Sequence, residues 1–308
     1  MKTILITPKI NPDLDGVACA YAYARFLNIT NPENKYIAGI YGEPQSEAIF
    51  LINKFEIKDL IIFNPDIDFD EFIIVDASDI KGMPNVIRPE DVIEVIDHRE
   101  THQADKLFLR AKLNIELVGA AATLIYERFK ANDIKLDRNT AVLLYGAIYS
   151  NTLNFKSDIV SQRDITAVSE LSNNEFDISE CLIDEMFKYK TEYINQNLEK
   201  VIIEDFKIFE GSLGIAQIEG FDFENLINNK IGDIKSILEK LRMEHALRYI
   251  FLNAPDIENG YNYFVVPDNQ TKELLGESMG LSFTENGVAQ NTKLLLRKQI
   301  LPLIVNNL

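Results

Sequence analysis

Residues 4–16 read Ile-Leu-Ile-Thr-Pro-Lys-Ile-Asn-Pro-Asp-Leu-Asp-Gly, an apolar run that leads into a turn with two aspartates. A similar order returns at Phe72-Ile-Ile-Val-Asp76 and at Val92-Ile-Glu-Val-Ile-Asp97-His98. Short apolar runs that alternate with helical segments are typical of a parallel α/β sheet. Because the carboxyl ends of parallel strands meet at one edge of a sheet, we expect these polar residues to converge there.

The rest of the chain has a helical middle and then a second series of strands. A helix over 16–27 follows the first strand, and from Val118 onward apolar residues recur at three- and four-residue spacing. A polar helix over 177–200 precedes strand-like runs that begin at Phe206. We therefore predict an α/β fold with three parts: an N-terminal parallel-sheet domain with a helical flank at 1–188, a helical linker at 189–203, and a smaller C-terminal α/β domain at 204–308.

Composition and charge limit the classes of function. The chain has 308 residues, of which 46% are apolar and 26% charged, so it is long enough for two globular domains. Its net charge of −17 opposes non-specific binding to duplex nucleic acid and to anionic membranes. A small anionic substrate would need a local positive charge, such as a metal ion or clustered basic side chains.

Two further features concern the cellular compartment. Cys19 and Cys181 lie far apart and have no second cysteine at metal-ligand spacing, so we interpret both as reduced core thiols. The apolar run at 4–6 is too short for a signal peptide, and no segment approaches the ~18 apolar residues of a membrane span. We expect a cytoplasmic protein.

The strand ends bring together four carboxylates, from Asp13, Asp15, Asp76 and Asp97, and the imidazole of His98. Aspartate at the end of a single strand is explained by turn chemistry alone. Three such strand ends in register favour a site, because clustered carboxylates repel one another unless a cation lies between them. Hard oxygen ligands with one nitrogen suit Mn²⁺ or Mg²⁺.

Taken in this order, the motifs resemble those of the DHH phosphoesterases, and in particular the manganese-dependent (family II) inorganic pyrophosphatases and related exopolyphosphatases. The similarity covers nearly the whole chain and includes these motifs: Asn11–Asp15, Val75–Asp76, Asp97–Arg99, Glu116–Gly119, Ser150–Ser157, Asp205–Phe209 and Leu296–Gln299. Each motif alone is weak evidence, but the series is specific.

The resemblance implies a metal-dependent phosphohydrolase with its site between the N-terminal domain and a C-terminal lid. Two ions would share Asp76 and activate a water molecule that attacks phosphorus. The implied metal ligands are Asp13, Asp15, Asp76, His98 and Asn151. The implied contacts to substrate phosphates are Arg99, Lys207, Arg297 and Lys298.

The chain departs from the family pattern at several of these positions. Lys9 replaces a metal-binding histidine, and a protonated ammonium cannot ligate a metal. Arg99 replaces a phosphate-facing histidine, Asn151 replaces an aspartate ligand, and Leu296-Arg297 replaces an Arg-Lys pair. We therefore expect that at most the position formed by Asp15, Asp76, His98 and Asn151 binds metal well. With Asp13 and Asp76 beside it, Lys9 could take the place of the other ion and stabilise developing charge.

Two functions follow from this pattern. The first is a hydrolase that acts on a pyrophosphate-like or polyphosphate-like anhydride or on a phosphoester, with one or two Mn²⁺ or Mg²⁺ ions. The second is an inactive relative that binds phosphate or a nucleotide as a sensor, which the changes at Lys9, Arg99 and Asn151 favour. A purely structural protein would show no metal affinity. The sequence does not decide the oligomeric state, although an edge strand could pair two copies in a homodimer.

Overall fold

The computed structural model describes residues 1–62, 68–99, 102–172, 176, 178–179 and 181–305. The chain forms two compact units, Met1–Met186 and Phe187–Leu308. The N-terminal unit contains β1 (Thr3–Thr7), α1 (Leu14–Thr30), β2 (Lys35–Ile40), α2 (Ser46–Lys54), β3 (Ile61–Ile62), β4 (Glu71–Val75), β5 (Val92–Asp97), α3 (Ala104–Leu107), β6 (Lys112–Ile115), α4 (Ala121–Ala131), α5 (Arg138–Asn151) and α6 (Gln162–Ser172). Helix α7 (Cys181–Gln196) spans the division between the units.

The N-terminal sheet has the strand order β3-β2-β1-β4-β5-β6, and every neighbouring pair is parallel. The chain therefore builds outward from β1 to β3 and then returns to add β4 on the other side of β1. Thr7 is paired with Ile74, and Val75 with Ile96, so the carboxyl ends of these central strands lie together. α/β proteins bind ligands where the strand order reverses in this way.

Helix α1 follows β1 directly and lies in the core of the N-terminal unit. Asp13 caps its amino end by accepting a hydrogen bond from the Gly16 amide. Nearly all of its first fourteen residues are buried, and α4 and α5 pack against it. This packing fixes the position of the acidic turn before the helix.

The C-terminal unit has a smaller, mixed sheet. Its remaining elements are α8 (Leu198–Glu204), β7 (Phe206–Phe209), β8 (Leu213–Gln217), α9 (Phe223–Glu244), β9 (Tyr249–Asp256), β10 (Tyr261–Val265), α10 (Asn269–Met279), β11 (Val288–Asn291) and α11 (Arg297–Ile304). The strand order is β11-β10-β9-β8-β7, with only the β8–β9 pair parallel. Successive residues of β9, such as Ile250 and Phe251, enter separate apolar clusters, because successive side chains of a strand point to opposite faces.

The predicted α/β class is confirmed, with a parallel sheet in the first unit and a mixed sheet in the second. Helix α1 begins at Leu14 rather than Gly16, since Asp13 and not Asp15 is its cap. The prediction that Cys181 is a core thiol is wrong, because its side chain is exposed, whereas Cys19 is buried. Parts of the helix predicted at 177–200 lie outside the described residues.

The domain limits stay a prediction. Within the predicted linker, Ile194, Leu198 and Ile202 are buried in an apolar cluster of the C-terminal unit. Strand β6 lies at one edge of the N-terminal sheet, and pairing of two copies there also stays a prediction. Among the described residues, none of the helices has both the length and the apolar character needed to cross a bilayer.

Candidate metal centre

Asp15 lies in the first turn of α1 and is fully buried. Its carboxylate accepts hydrogen bonds from the amides of Ala121 (2.7 Å) and Ala122 (2.8 Å), at the amino end of α4. The unpaired amides and the dipole of a helix amino end stabilise a negative charge there. The sequence pattern that predicted Asp15 did not reveal these partners, which lie more than a hundred positions away.

Asp76 follows β4 and is also buried. Its backbone has φ of 51°, a left-handed conformation that aspartate tolerates better than most residues, and its amide donates to the Ile96 carbonyl at 2.8 Å. Among the described residues, no hydrogen-bond donor contacts its Oδ2 atom. A buried carboxylate oxygen without a donor is costly, and a cation would relieve that cost.

His98 comes directly after β5 and points its two ring nitrogens in different directions. Nδ1 lies 3.1 Å from the Val118 carbonyl, which can only accept a hydrogen bond, so Nδ1 carries a proton. Nε2 faces Asp76 Oδ1 at 3.5 Å and Asp15 Oδ2 at 4.0 Å. A carbonyl partner such as that of Val118 orients a metal-binding imidazole and leaves Nε2 for the metal.

These side chains have the composition of a site for a hard divalent ion. Ligand atoms of Asp15, Asp76 and His98 all lie within 4.8 Å of one another. Two carboxylates with one imidazole are a donor set that suits Mn²⁺ or Mg²⁺. The residues present therefore fit a metal ion.

Lys9 lies near the Oδ2 atom of the Asp76 carboxylate. Its ammonium lies 3.3 Å from Asp13 Oδ2 and 4.0 Å from Asp76 Oδ2. The charge of Asp13, assisted by Asp76, raises the pKa of Lys9 despite its burial, so the ammonium stays protonated. Burial favours the neutral form of Asp13, but Lys9 and the Gly16 amide outweigh it and lower the pKa of Asp13 to about 2.

Asp15 and His98, on the other side of Asp76, both have raised pKa values. Burial, and then the charge of Asp76, raise the pKa of Asp15 to about 8. Burial lowers the pKa of His98, but the contact with Asp76 and the charge of Asp15 prevail and raise it to about 9. A metal ion would compete with these protons.

Asn151 ends α5, and its side-chain amide contacts the acidic cluster. Its Nδ2 atom lies 3.0 Å from the Gly119 carbonyl and 3.2 Å from Asp15 Oδ2. Both of these atoms are acceptors, so the amide must turn its donor side to the cluster. The same nitrogen lies 3.2 Å from His98 Nε2. In this structure Asn151 therefore donates to the cluster, and ligation of a metal ion by its carbonyl oxygen stays a prediction.

Arg99 lies at the rim of the cluster and is partly exposed. Its guanidinium is 3.5 Å from Asp97 and 3.3 Å from Asp79, and it donates to the Asp76 carbonyl at 3.4 Å. Asp97 is buried and accepts a hydrogen bond from the His98 amide, so it supports the turn. A phosphate contact by Arg99 stays a prediction.

The basic residues predicted in the C-terminal unit have different surroundings. Lys207 and Lys298 are exposed. Arg297 is buried, pairs with the Asp205 carboxylate, and donates to the carbonyls of Asp205 (2.6 Å) and Ile215 (3.0 Å). Its guanidinium thus links α11 to the sheet of its own unit, a role that the sequence motif did not indicate. His102, four residues after His98, is exposed.

Two family models and several known proteins match this chain. The chain matches the DHH family N-terminal domain over residues 3–148 and the DHHA2 domain over residues 184–306. It is 24% identical to the manganese-dependent inorganic pyrophosphatase of Methanothrix thermoacetophila over 298 residues, which cover 95% of this chain and 94% of that protein. It is 26% identical over 312 residues to an Exiguobacterium protein assigned as the same enzyme, with 99% and 98% covered.

Solved structures show the same fold. A Methanococcus jannaschii protein assigned as a family II inorganic pyrophosphatase superposes with a TM-score of 0.73 at 24% identity, covering 98% of both chains. An exopolyphosphatase-related protein from Bacteroides fragilis superposes with a TM-score of 0.52 at 11% identity, covering 99% of this chain and 91% of that one.

Proposed function

The chain belongs to the DHH family, and from that premise we propose that it is a divalent-metal-dependent hydrolase of a phosphoanhydride or a phosphoester. The convergence of Asp15, Asp76 and His98 is the observation that carries the proposal. The names of the similar pyrophosphatases support pyrophosphate as the first substrate to test. A chain with a net charge of −17 needs a local positive charge to hold such an anion, and this cluster offers places for it.

The three converging side chains would hold one Mn²⁺ or Mg²⁺ ion, which supplies charge that polarises a phosphoryl oxygen and lowers the pKa of water. Asp15 is held by the amides of α4, and His98 by the Val118 carbonyl, so both are positioned before a ligand arrives. Preorganised ligands of this kind avoid a reorganisation cost during the reaction.

Lys9 would supply the second positive charge. Its ammonium is placed by Asp13 and lies on the side of Asp76 away from His98. A fixed cation there can stabilise negative charge that develops on a phosphoryl group, as a second ion would. We therefore propose a site with one exchangeable metal ion. Arg99, Lys207 and Lys298 are proposed to contact substrate phosphates, because their cationic groups are partly or largely exposed.

The test is a titration of the metal-free chain with Mn²⁺ and Mg²⁺, with phosphate release measured from pyrophosphate, polyphosphate and a small phosphoester. We expect release that depends on the metal and is lost in Asp15→Asn, because the amide removes one of the carboxylates. Asp137→Asn is the matched control. Asp137 also accepts hydrogen bonds at a helix start, from Thr140, but it is not among the converging ligands.

A second function, a sensor that binds phosphate or a nucleotide without hydrolysis, is supported by the Lys9 ammonium and the Asn151 amide within the cluster. In the same titration a sensor would bind metal and pyrophosphate tightly but release no phosphate from any substrate. Metal-dependent release would exclude a purely binding role. Absence of both metal binding and release would refute both functions.

A further inference from the structure

One loop supplies backbone partners to three side chains of the metal centre. It joins β6 to α4 and continues into the first turn of that helix. Its contacts are the Val118 carbonyl with His98 Nδ1 (3.1 Å), the Gly119 carbonyl with Asn151 (3.0 Å), and the Ala121 and Ala122 amides with Asp15 (2.7 and 2.8 Å). The conformation of this loop therefore sets the orientation of two of the three proposed metal ligands.

A carboxylate outside the metal centre holds the loop. Asp164 is fully buried; its Oδ2 atom accepts from the Gly119 amide at 2.8 Å, and its Oδ1 atom accepts from the Thr123 hydroxyl at 2.6 Å. A Cβ atom on Gly119 would lie 2.8 Å from Asp164 Oδ2 and 2.6 Å from a methyl group of Thr152. Glycine at 119 is therefore what allows the carboxylate to reach the loop.

Helix capping explains part of this arrangement. Asp164 also accepts from the amide (2.7 Å) and the hydroxyl (2.6 Å) of Ser161, which is the pattern of a carboxylate that closes the start of α6. Capping requires only these contacts within one turn. The hydrogen bonds to Gly119 and Thr123 join α6 to a distant part of the chain. Through them the same carboxylate also holds the loop in position.

We infer that Asp164 is a positioning residue of the metal centre, which acts by holding the 118–122 loop against His98 and Asp15. The inference rests on the proposed metal site. If the loop moves, the Val118 carbonyl no longer fixes the His98 ring, and the α4 amides no longer fix Asp15. Removal of outer partners of this kind typically weakens metal binding by about 10–100-fold.

The experiment measures Mn²⁺ affinity by calorimetry in the full chain and in three variants. Asp164→Ala should weaken binding by about 10–100-fold. Asp164→Asn should restore most of the affinity, because its amide oxygen can accept from Gly119 while its amide nitrogen donates to the Thr123 hydroxyl. Ser161→Ala is the control: it removes a partner of the cap and leaves the loop contacts in place, so Mn²⁺ affinity should stay within about twofold of the unaltered chain.

A spectroscopic measurement separates positioning from general loss of stability. The ¹⁴N modulation of the bound Mn²⁺ spin echo reports coordination by His98. We expect this signal in the unaltered chain and in Ser161→Ala, and a weaker signal in Asp164→Ala under saturating metal. Should Asp164→Ala fail to fold, Thr123→Val removes one of the two loop contacts and should weaken Mn²⁺ binding several-fold.

Equal affinity and equal modulation in Asp164→Ala and the unaltered chain would overturn the inference. The same holds if Ser161→Ala loses as much affinity as Asp164→Ala, because capping alone would then account for the effect. If the unaltered chain binds no Mn²⁺, the proposed function fails and the positioning role fails with it. If the unaltered chain binds Mn²⁺ but Asp164→Ala binds it equally well, or Ser161→Ala loses as much affinity as Asp164→Ala, the proposed function stands and the positioning role of Asp164 does not.

Discussion

The two oxygens of Asp76 face two different regions of one acidic cluster. Oδ1 lies 3.5 Å from His98 beside Asp15, whereas Oδ2 lies 4.0 Å from Lys9 beside Asp13. On the Lys9 side the chain itself provides a permanent cation. On the His98 side positive charge comes from a proton or from an added metal ion. Buried carboxylates repel one another on both sides of Asp76. On one side the fixed Lys9 ammonium compensates this repulsion, and on the other an exchangeable proton or metal ion does so.

Removal of the Asp76 carboxylate, which both sides share, should have the largest effect on metal binding and on phosphate release. Asp76→Asn replaces the charge by a neutral amide at the point where the two sides meet. We expect Mn²⁺ affinity to fall by more than about 100-fold, beyond the usual loss for an outer partner, and metal-dependent phosphate release to disappear. Calorimetry and the phosphate assay measure these two quantities.

Asp133→Asn is the control for that change. Asp133 has the same left-handed backbone, with φ of 54°, but it is exposed on the surface. The control variant should bind Mn²⁺ like the unaltered chain. Metal affinity retained in Asp76→Asn would show that Asp76 is not the shared ligand and would remove the basis of the comparison.

Making the Lys9 side resemble the His98 side should change the number of ions bound. The unaltered chain should bind one Mn²⁺ per chain. Lys9→His removes the ammonium and adds an imidazole beside Asp13 and Asp76, so we expect a second Mn²⁺, with spin coupling between the two ions. Binding stoichiometry and electron paramagnetic resonance are the measurements.

Lys81→His adds the same side chain at an exposed position and should leave one ion per chain. Two tightly bound ions in the unaltered chain would contradict the assignment of Lys9 as a fixed cation. One ion in both histidine variants would show that Asp13 is unsuitable as a ligand, since it already accepts the Gly16 amide as a helix cap.

The difference between the two sides was only partly visible in the sequence. Strand ends in a parallel sheet predicted the convergence of Asp15, Asp76 and His98, because sheet geometry alone brings those positions to one edge. The direction of the Asn151 amide and the burial of Arg297 were not predictable. They depend on a distant acceptor in each case, the Gly119 carbonyl and Asp205.

The contacts of Asp164 with the loop were also not predictable from the sequence. Ser161 and Asp164 have the spacing of a helix cap, so a local interpretation of the sequence is complete without any contact to the loop at Gly119. Strand β6 and the helices α10 and α11 were likewise not predicted, and the limits of α1 were short by two residues at its start. Local pattern gives the element, and its partners come from the tertiary fold.

A further predicted effect is a dependence of Mn²⁺ affinity on pH that comes from the protons held on the His98 side. With the pKa of Asp15 near 8 and that of His98 near 9, both groups hold protons at neutral pH in the metal-free chain. Metal binding must displace these protons, so affinity should rise with pH, by up to about tenfold per unit for each proton released, and level off above about pH 9. Calorimetry in buffers of different ionisation enthalpy counts the protons.

The Lys9 side should contribute nothing to this slope, because the pKa of Asp13 is about 2 and that of Lys9 is raised, so neither group titrates between pH 6 and 9. Asp13→Asn keeps a good helix cap and should leave a slope with pH in place, but the plateau should begin at lower pH, because the charge of Asp13 helps to raise the pKa of Asp15. An affinity that is constant from pH 6 to 9, or a slope that vanishes in Asp13→Asn, would mean that the exchangeable charge does not reside beside His98. The assignment of fixed and exchangeable charge to the two oxygens of Asp76 would then have to be reversed.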